Sequence, residues 1–450
     1  MRKYFGTDGI RRIANSELSP EFVVKIAKAG VYVLSKNLGY APTILIGKDT
    51  RISGDMIETA MVAGFCSFGA KVKLLGVIPT PAVAYLVKHY NADAGVVISA
   101  SHNPFEFNGI KYFSKAGMKL PDEVEEEIED VIDSGILDSF VAEHHKMGTY
   151  EHIDGVADYI DFITKTVRLE NPGGLTIGLD TANGATFATA KKTFEKLGIP
   201  CIVIHNNPNG ININDKCGST HIESLQRFVT ENKLDAGFAF DGDGDRCWAV
   251  DENGESMDGD KMMAIVGKWM NDVGKLDEHV VVATVDSNMG LKKSLESNGI
   301  QLVQTITGDR YVLEEMLKNG YKLGGEQSGH IIFIDHNPTG DGLLTALQVL
   351  QVMLKEKAKL SDLAKIIRKF PQVNVPAKVA EHLKRTFKDD PIIAAEIRKV
   401  EAEFSGNGRV MVRASGTEPV VRVMIEGEDE ATVTERANML AVLIMERLRG

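Results

Sequence analysis

Short apolar runs alternate with longer amphipathic stretches in the first part of the chain. The apolar runs have the length of buried strands, and the amphipathic stretches have the spacing of helices with one buried face. The predicted order is helix 20–38, strand 43–47, helix 55–69, strand 71–75, helix 81–90, strand 94–99 and a charged helix at 122–133. This alternation is typical of βαβ units and therefore of a mostly parallel sheet.

The same alternation restarts twice farther along the chain. The second run predicts strand 175–180, helix 185–197, strand 199–204, helix 221–231 and strand 235–240. The third predicts helix 259–271, strand 280–284, helix 288–298, strand 300–305, helix 310–319 and strand 321–325. Blocks of about 100–150 residues have the usual size of a domain. The sequence therefore predicts three consecutive, similar α/β domains with mixed, mostly parallel sheets.

The C-terminal part has a different pattern. A helix at 391–403, strands at 408–414 and 420–426 and a last helix at 430–448 predict a smaller α+β domain. The predicted domains are 1–152, 153–254, 255–369 and 370–450.

Composition restricts the partners. The 450 residues are 43% hydrophobic and 25% charged, as in an ordinary globular protein. A net charge of −12 argues against a nucleic-acid or anionic-membrane surface and favours small-molecule partners. The four cysteines are far apart and form no C-x-x-C pair, which favours a reducing compartment over a disulfide framework. With no apolar leader and no run approaching about 18 apolar residues, the protein is expected to be cytoplasmic and not membrane-bound.

The strand at 94–99 runs into the sequence SASHNP, residues 99–104. In an open α/β sheet, ligands collect beyond the carboxyl ends of the strands, where these residues fall. The stretch is either a turn made of ordinary turn residues or a loop in which a hydroxyl does chemistry. A serine hydrolase is disfavoured, because side chains of adjacent residues leave an extended backbone in opposite directions, which would separate His102 from Ser101. The chain also lacks the G-x-S-x-G elbow.

Three carboxylates alternate with glycines in DGDGDR, residues 241–246. The glycines let the backbone bend so that Asp241, Asp243 and Asp245 converge on one hard cation. The spacing to Glu252 also resembles an EF-hand, but Arg246 replaces the glycine of the sharp turn and the flanks are strand-like. A metal site with an arginine beside it favours an anionic ligand that both cations share.

Two further loops carry clustered polar groups. GGEQSGH, residues 324–330, has the hydrogen-bonding groups that suit a polyol such as a sugar. RASGTEP, residues 413–419, followed by Arg422, has the composition of a phosphate-binding loop. Each could also be an ordinary turn. No Walker or Rossmann motif is present, so an ATPase or a nicotinamide enzyme is poorly supported. GTDGIR, residues 6–11, adds an arginine that could face a phosphate.

Together and in this order, the loops resemble those of the α-D-phosphohexomutase family. Its members have a serine loop, a metal loop, a sugar loop and a phosphate loop, one from each of four domains around a central cleft that holds the active site. The resemblance covers essentially the whole chain. Within the family, the chain is most similar to members that act on glucosamine phosphate, and the stretches that support this are 5–11, 108–111, 180–184, 212–221, 308–312 and 326–330. Relatives that act on glucose or mannose phosphates commonly have Met where Gln327 stands.

The resemblance implies a role for each matching residue. Ser101 would be the catalytic residue and would carry a phosphoryl group as phosphoserine. One Mg²⁺ per subunit would be bound by Ser101, Asp241, Asp243 and Asp245. Proton transfer or phosphoryl charge stabilisation would fall to His102, Lys111, His330, Arg11 and Arg246, with Lys111 reaching back from the serine's own loop; the sequence does not rank the acid–base candidates. Substrate binding is implied for Asp309, Arg310, Glu326 and Ser328, and binding of the non-reacting phosphate for Arg413, Ser415, Gly416, Thr417 and Arg422.

The implied activity is the interconversion of glucosamine 6-phosphate and glucosamine 1-phosphate. A sugar 1,6-bisphosphate would be both the intermediate and the activator, and the product would feed the synthesis of UDP-N-acetylglucosamine and cell-wall precursors. A homodimer is a family-level expectation. The alternatives are the same fold acting on mannose or glucose phosphates, a non-catalytic Mg²⁺ or Ca²⁺ binding protein, and a serine hydrolase.

Overall fold

The computed structural model describes residues 3–138, 142–415 and 419–449. The chain divides into two compact units. The first comprises Met1–Asp286 and Ile300–Ile366, and the second comprises Ser287–Gly299 and Ile367–Gly450. The first unit contains three mixed sheets and the second unit contains one antiparallel sheet.

The first sheet of the first unit has six strands in the order β1-β5-β4-β2-β3-β6. Its strands are β1 (Ile10–Ile13), β2 (Thr43–Lys48), β3 (Lys71–Val77), β4 (Ala94–Ile98), β5 (Phe107–Ser114) and β6 (Tyr150–His152). The helices along this part are α1 (Pro20–Ser35), α2 (Gly54–Ser67), α3 (Thr80–His89) and α4 (Asp122–Ser134). Strands β4, β2, β3 and β6 are parallel, whereas β5 and β1 add an antiparallel edge. The predicted βαβ alternation is confirmed for β2 to β4.

The second sheet has five strands in the order β11-β10-β9-β7-β8. Its elements are α5 (Gly155–Thr164), β7 (Ile177–Asp180), α6 (Ala190–Lys196), β8 (Cys201–Ile204), α7 (Glu223–Asn232), β9 (Ala236–Phe240), β10 (Cys247–Asp251) and β11 (Ser256–Met257). The helix predicted at 185–197 is divided into a short 3₁₀ turn and α6. The long hairpin of β9 and β10 places the aspartate loop at the carboxyl end of a buried strand.

The third sheet has four strands in the order β13-β12-β14-β15. Its elements within the first unit are α8 (Gly259–Asp272), β12 (Val280–Thr284), β13 (Gln301–Thr305), α10 (Asp309–Asn319), β14 (Leu323–Gly325), β15 (Ile331–Phe333), α11 (Gly342–Glu356) and α12 (Leu360–Leu363). The sugar-loop residues connect β14 to β15, an antiparallel pair.

The second unit is a three-stranded antiparallel sheet with helices. Its elements are α9 (Met289–Ser297), β16 (Gln372–Lys378), α13 (Pro391–Glu403), β17 (Gly408–Ala414), β18 (Val420–Gly427) and α14 (Glu430–Arg447). Strand β18 lies between β16 and β17 and packs an apolar face against α14. The predicted α+β class of the C-terminal part is confirmed. Among the described residues, no helix is long and apolar enough to span a bilayer.

Candidate active site

The serine loop, residues 99–106, joins β4 to β5. Ser101 is buried and has a left-handed backbone with φ of 52°, which is uncommon for a residue other than glycine. Its amide donates to Ser99 Oγ at 2.9 Å. Its own hydroxyl donates to Asp241 Oδ2 at 2.7 Å, across 140 residues of sequence. The fold therefore brings the predicted serine to the predicted metal loop.

The left-handed backbone of Ser101 also changes the position of His102. His102 Nδ1 lies 3.4 Å from Ser101 Oγ. The expectation that the two side chains would point apart is therefore wrong, because it assumed an extended backbone. Burial, with the nearby positive charges of Arg246 and Arg11, lowers the pKa of His102 to about 4. At neutral pH its imidazole is neutral.

The metal loop, residues 241–246, joins β9 to β10. Its three aspartates are all buried, and their carboxylate oxygens come within 4.8 Å of one another. Within the described residues, Oδ1 of Asp243 and Oδ1 of Asp245 are buried and accept no hydrogen bond. Burial and the two neighbouring carboxylates raise the pKa of Asp241 well above its ordinary value. Converging carboxylates with unused buried oxygens fit a hard divalent cation. The cluster could therefore hold a metal ion.

The metal loop and the serine loop are in direct backbone contact. A Cβ on Gly242 would lie 2.5 Å from the carbonyl oxygen of Ser101 and 2.7 Å from Nδ2 of Asn214. Only glycine fits this approach without movement of one loop. The EF-hand alternative fails on geometry, since β9 and β10 flank the loop and Glu252 accepts a hydrogen bond from Ser361 Oγ at 2.6 Å.

Lys111 lies on β5, opposite Val97 of β4, and not in the serine loop as the sequence suggested. The chain reverses directly after the serine loop, so the residues after it form an antiparallel strand. Its ammonium group is buried and contacts Asp243 Oδ2 at 2.8 Å and Asp8 Oδ2 at 2.9 Å. Burial alone would lower the pKa of Lys111, but Asp243 and Asp8 outweigh it and raise the pKa above the ordinary value. Lys111 is therefore a cation held beside the metal loop.

A second lysine connects two parts of the first unit. Lys119 Nζ lies 2.5 Å from Asp8 Oδ1 and 2.7 Å from Asp309 Oδ2 at the start of α10. Burial opposes the charge of Lys119, yet Asp309 and Asp8 raise its pKa above the ordinary value. Asp8, Lys119 and Asp309 all line one cavity.

That cavity has a volume of about 570 Å³. It is bounded by several of the predicted site residues, namely Arg11, His102, Asp245, Arg246, Asp309, Glu326, Ser328 and His330, and also by Trp248 and Gln327. The volume suits a ligand the size of a phosphosugar.

Two arginines bring positive charge to the cavity wall. Arg11 forms an ion pair with Asp8, and the Nε atoms of Arg11 and Arg246 are buried without a hydrogen-bond partner among the described residues. The amide of Arg246 donates to Asp241 Oδ1 at 3.1 Å. Guanidinium donors left unused at a cavity wall suit an anionic ligand.

The sugar-loop residues have defined partners. The Gly308 amide donates to Glu326 Oε1 at 3.2 Å, and Gln327 Nε2 donates to Asp260 Oδ2 at 3.2 Å. Burial raises the pKa of Glu326. The Gly340 amide lies 2.9 Å from His330 Nε2, while the carboxylates of Asp245 and Asp309 outweigh burial and raise the pKa of His330 to about 9.

Some predicted substrate-binding residues lie elsewhere. Arg310 forms ion pairs with Asp122 and Glu125 and does not line the 570 Å³ cavity. In the second unit, Arg413 of β17 lies directly opposite Arg422 of β18, and Ser415 follows β17. Gly416 and Thr417 lie outside the described residues.

The structure adds residues that the sequence did not indicate. Thr80 Oγ1 donates to Asp243 Oδ2 at 2.7 Å, and Arg51 and Asp49 contact the serine loop. Asp49 and Arg51 follow β2, which is parallel to β4 and ends at the same edge of the sheet. Their position beyond a strand end was a signal that could have been read from the sequence.

Three mixed α/β sheets, a smaller antiparallel unit and a buried serine beside an aspartate triad define a phosphohexomutase, a class of isomerase. Family models agree: the phosphoglucomutase/phosphomannomutase α/β/α domains I, II and III match residues 2–137, 157–254 and 258–370, and the C-terminal domain matches residues 350–442. The chain belongs to the phosphoglucomutase/phosphomannomutase family. The family prediction and the predicted fold class are confirmed.

Individual relatives agree with this assignment. A curated protein of Ruminiclostridium cellulolyticum, named phosphoglucosamine mutase, is 51% identical over 450 residues and covers all of both chains. A phosphoglucomutase/phosphomannomutase family protein of Burkholderia thailandensis has the same fold, with a TM-score of 0.82, 21% identity and coverage of 100% of this chain and 99% of its own. N-acetylphosphoglucosamine mutase of Aspergillus fumigatus, solved with GlcNAc-6P and magnesium, has a TM-score of 0.70, 16% identity and coverage of 100% and 96%.

Proposed function

We propose that the protein interconverts glucosamine 6-phosphate and glucosamine 1-phosphate through a phosphoserine at Ser101. The observation that carries this proposal is the buried Ser101 hydroxyl, 2.7 Å from Asp241 in a triad with unused carboxylate oxygens. The substrate is supported by the full-length relative named phosphoglucosamine mutase. The 570 Å³ cavity beside the triad, with two arginines on its wall, has room and charge for a phosphosugar.

The reaction has two phosphoryl transfers. In the first, the anomeric hydroxyl oxygen of glucosamine 6-phosphate bonds to the phosphorus of phosphoserine 101, the bond from phosphorus to Ser101 Oγ breaks, and the substrate's proton ends on Oγ. The resulting 1,6-bisphosphate turns over in the site. Ser101 Oγ then bonds to the phosphorus at position 6, the O6–P bond breaks, and O6 takes the proton. Glucosamine 1-phosphate and phosphoserine remain.

Asp241, Asp243, Asp245 and the oxygen on Ser101 would hold one Mg²⁺. When bound, that ion supplies charge stabilisation to the transferring phosphoryl group. The all-oxygen donor set supports magnesium as the bound ion.

The chain's own groups would bind and orient the substrate. Arg11 and Arg246 offer unused buried Nε–H donors to phosphoryl oxygens. Lys111 is held as a buried cation and contributes positive charge, whereas His102 is neutral at neutral pH and 3.4 Å from Ser101 Oγ, which suits it to accept or return the proton. His330 stays a third candidate for that step.

The remaining predicted residues would recognise the sugar and its second phosphate. Glu326 and Ser328 would bind ring hydroxyls, and Asp309 would orient them from the cavity wall. In the second unit, Arg413 and Arg422, with Ser415, Gly416 and Thr417, would bind the phosphate that does not react. Arg310, held by Asp122 and Glu125, would act through the position of α10.

The experiment is a coupled assay with glucosamine, glucose and mannose phosphates, combined with peptide mass spectrometry. We expect turnover of glucosamine phosphate to exceed the others by at least about tenfold. A phosphoryl group should map to Ser101, and Ser101→Ala should abolish turnover while the protein stays folded. Activity should disappear on chelation and return with Mg²⁺.

Two results would contradict the proposal. Preference for glucose or mannose phosphate would change the substrate and keep the phosphohexomutase chemistry. Normal turnover by Ser101→Ala would exclude the phosphoserine mechanism itself. Ser99→Ala is not a suitable control, because Ser99 Oγ accepts a hydrogen bond from the Ser101 amide. Ser16→Ala is a suitable control, because Ser16 lies in an exposed turn after β1.

A further inference from the structure

Arg51 is completely buried, and all five of its side-chain N–H donors have acceptors. Nε donates to Asp49 Oδ2 at 2.9 Å. The remaining acceptors are the backbone carbonyl oxygens of Ser101 at 2.9 Å, Asn103 at 2.8 Å, Phe107 at 3.0 Å and Pro104. One guanidinium group therefore gathers four carbonyls of the segment that carries the serine.

A second set of contacts starts from the same carboxylate. Asp49 Oδ2 accepts from Ser99 Oγ at 2.5 Å, and Ser99 Oγ accepts the amide of Ser101 at 2.9 Å. Asp49 thus fixes Arg51 on one side and, through Ser99, the amide of Ser101 on the other. Both the N–H and the C=O of Ser101 are held by groups that meet at Asp49.

The turn that follows β8 contributes a third contact. Nδ2 of Asn214 donates to the carbonyl oxygens of Ser101 at 2.9 Å and Asn103 at 3.2 Å. Asn214 belongs to the 212–221 stretch that supported the family resemblance, for which the phosphoryl transfer gave no role. The two carbonyls are therefore held from both sides, by Arg51 and by Asn214.

These contacts hold Ser101 in an unfavourable backbone conformation. A left-handed residue other than glycine persists only where its surroundings determine it. Since this backbone directs the hydroxyl to Asp241, the contacts also set the position of the reacting oxygen. We propose that Arg51, fixed by Asp49 and assisted by Asn214, is a positioning residue for the phosphoserine. The proposal rests on the proposed mutase function and deepens it.

Lysine cannot replace this arginine. Its ammonium group has three donors on one atom, whereas the four carbonyls and Asp49 Oδ2 together take the five donors of a planar guanidinium group. Arg51→Lys keeps the charge and most of the volume, so its effect isolates the loss of geometry.

The experiment compares Arg51→Lys with the wild type and with Arg409→Lys. Arg409 of the second unit makes the same kinds of contact, to Glu426 Oε2 at 2.6 Å and to the Ser287 carbonyl at 2.9 Å, outside the serine loop. For Arg51→Lys we expect kcat to fall about 10- to 100-fold with KM within about twofold, because a misplaced reacting group loses rate and not ground-state binding. Arg409→Lys should keep the wild-type kcat.

A single-turnover measurement follows the same step directly. Unphosphorylated protein is mixed with glucose 1,6-bisphosphate and Mg²⁺, so that Ser101 Oγ bonds to phosphorus, a sugar O–P bond breaks and the sugar oxygen takes the proton. The phosphorylation rate of Ser101 should fall by the same factor as kcat. Asn214→Gly, which keeps the positive φ of 60° and removes only the amide, should give a smaller decrease, about threefold to tenfold.

A measurement that does not need activity completes the test. Backbone hydrogen exchange of residues 99–107 should become faster in Arg51→Lys while the other strands of the first sheet keep their protection. Unchanged kcat, or unchanged exchange in this loop, would overturn the proposal even if wild-type mutase activity is established. If the wild type lacks mutase activity, the proposed function fails, and the exchange result still decides whether Arg51 holds the loop. If Arg51→Lys does not fold, Asn214→Gly decides in its place.

Discussion

Asp341 is a buried carboxyl that lies outside the cavity. It accepts hydrogen bonds from Tyr159 Oη at 2.9 Å and from the Leu344 amide at 3.0 Å, and it caps the start of α11. Burial raises its pKa to about 6, although these donors oppose the shift. Folding therefore makes ionisation of Asp341 less favourable than it is in the unfolded chain.

This pKa predicts how stability depends on pH. In the unfolded chain an aspartate has a pKa of about 3.9. The protonated Asp341 favours folding at low pH, and that contribution is lost as the pH rises from about 4 to about 6. We expect Asp341→Asn, which cannot ionise, to gain stability relative to wild type over this window, by roughly 2–3 kcal/mol.

The measurement is a series of thermal unfolding curves from about pH 4 to about pH 7. Asp154→Asn is the matched control, since Asp154 also caps a helix, α5, but is exposed. Because Asp154 is exposed, the control measures the effect of the same substitution at a helix cap without burial. A constant difference between Asp341→Asn and wild type at every pH would contradict the assigned pKa.

At the scale of elements, the close contact between the serine loop and the metal loop predicts the effect of adding one methyl group at Gly242. Gly242→Ala would place a Cβ 2.5 Å from the Ser101 carbonyl oxygen, so either the serine loop or the metal loop must move. We expect at least about a tenfold loss of kcat, because a displacement of the reacting groups by about 1 Å costs up to 100-fold in rate. The measurement is steady-state kinetics at saturating Mg²⁺.

Gly39→Ala is the control for this substitution. A Cβ on Gly39 meets no atom within 4 Å, so its kinetics should equal those of the wild type. If Gly242→Ala kept full activity, the two loops would not need their close approach for function.

Helices with a clear hydrophobic period and short apolar strands could be predicted, but two elements that bury polar residues together with apolar ones could not. Helices such as α1 and α14 were predicted within a few residues. In contrast, α11 was missed, because residues 342–353 are all buried and leave no polar face to mark a period. Strand β5 was missed because it buries the polar residues Asn108 and Lys111 among its apolar ones, so neither an apolar run nor a regular alternation marks it.

At the scale of the whole molecule, Lys119 links parts of the first unit that are distant in sequence. Its ammonium group joins Asp8 to Asp309, which is 190 residues away from it. We expect Lys119→Met to lower the free energy of unfolding by about 2 kcal/mol, because two partly buried carboxylates lose their shared cation. Thermal or urea unfolding measures the loss, and kcat/KM should fall as well because all three residues line the cavity.

Lys36→Met provides the comparison. Lys36 pairs with Glu127 on the surface, and both side chains are at least 40% exposed. An exposed pair of this kind contributes about 0–1 kcal/mol, so the variant should unfold almost like the wild type. Equal losses for the two variants would contradict the role of Lys119.

The domain limits stay a prediction. The family models match four consecutive regions, while the structure has two compact units, and α9 belongs to the second of them although it precedes β13 in sequence. We propose the boundaries 1–152, 153–254, 255–369 and 370–450 for limited proteolysis to test.

The sequence by itself determined the family, the order of the four loops and the identity of the serine and the three aspartates. These features are short contiguous stretches, and their residue types indicate the chemistry that they can perform. Only the tertiary structure decided that Ser101 is left-handed beside His102, that Lys111 lies on a strand, and which groups contact the serine loop. The contacts of that loop join Arg51 and Asn214 to Ser101 across 50 and 113 residues, and no local pattern records which distant donor a carbonyl will meet.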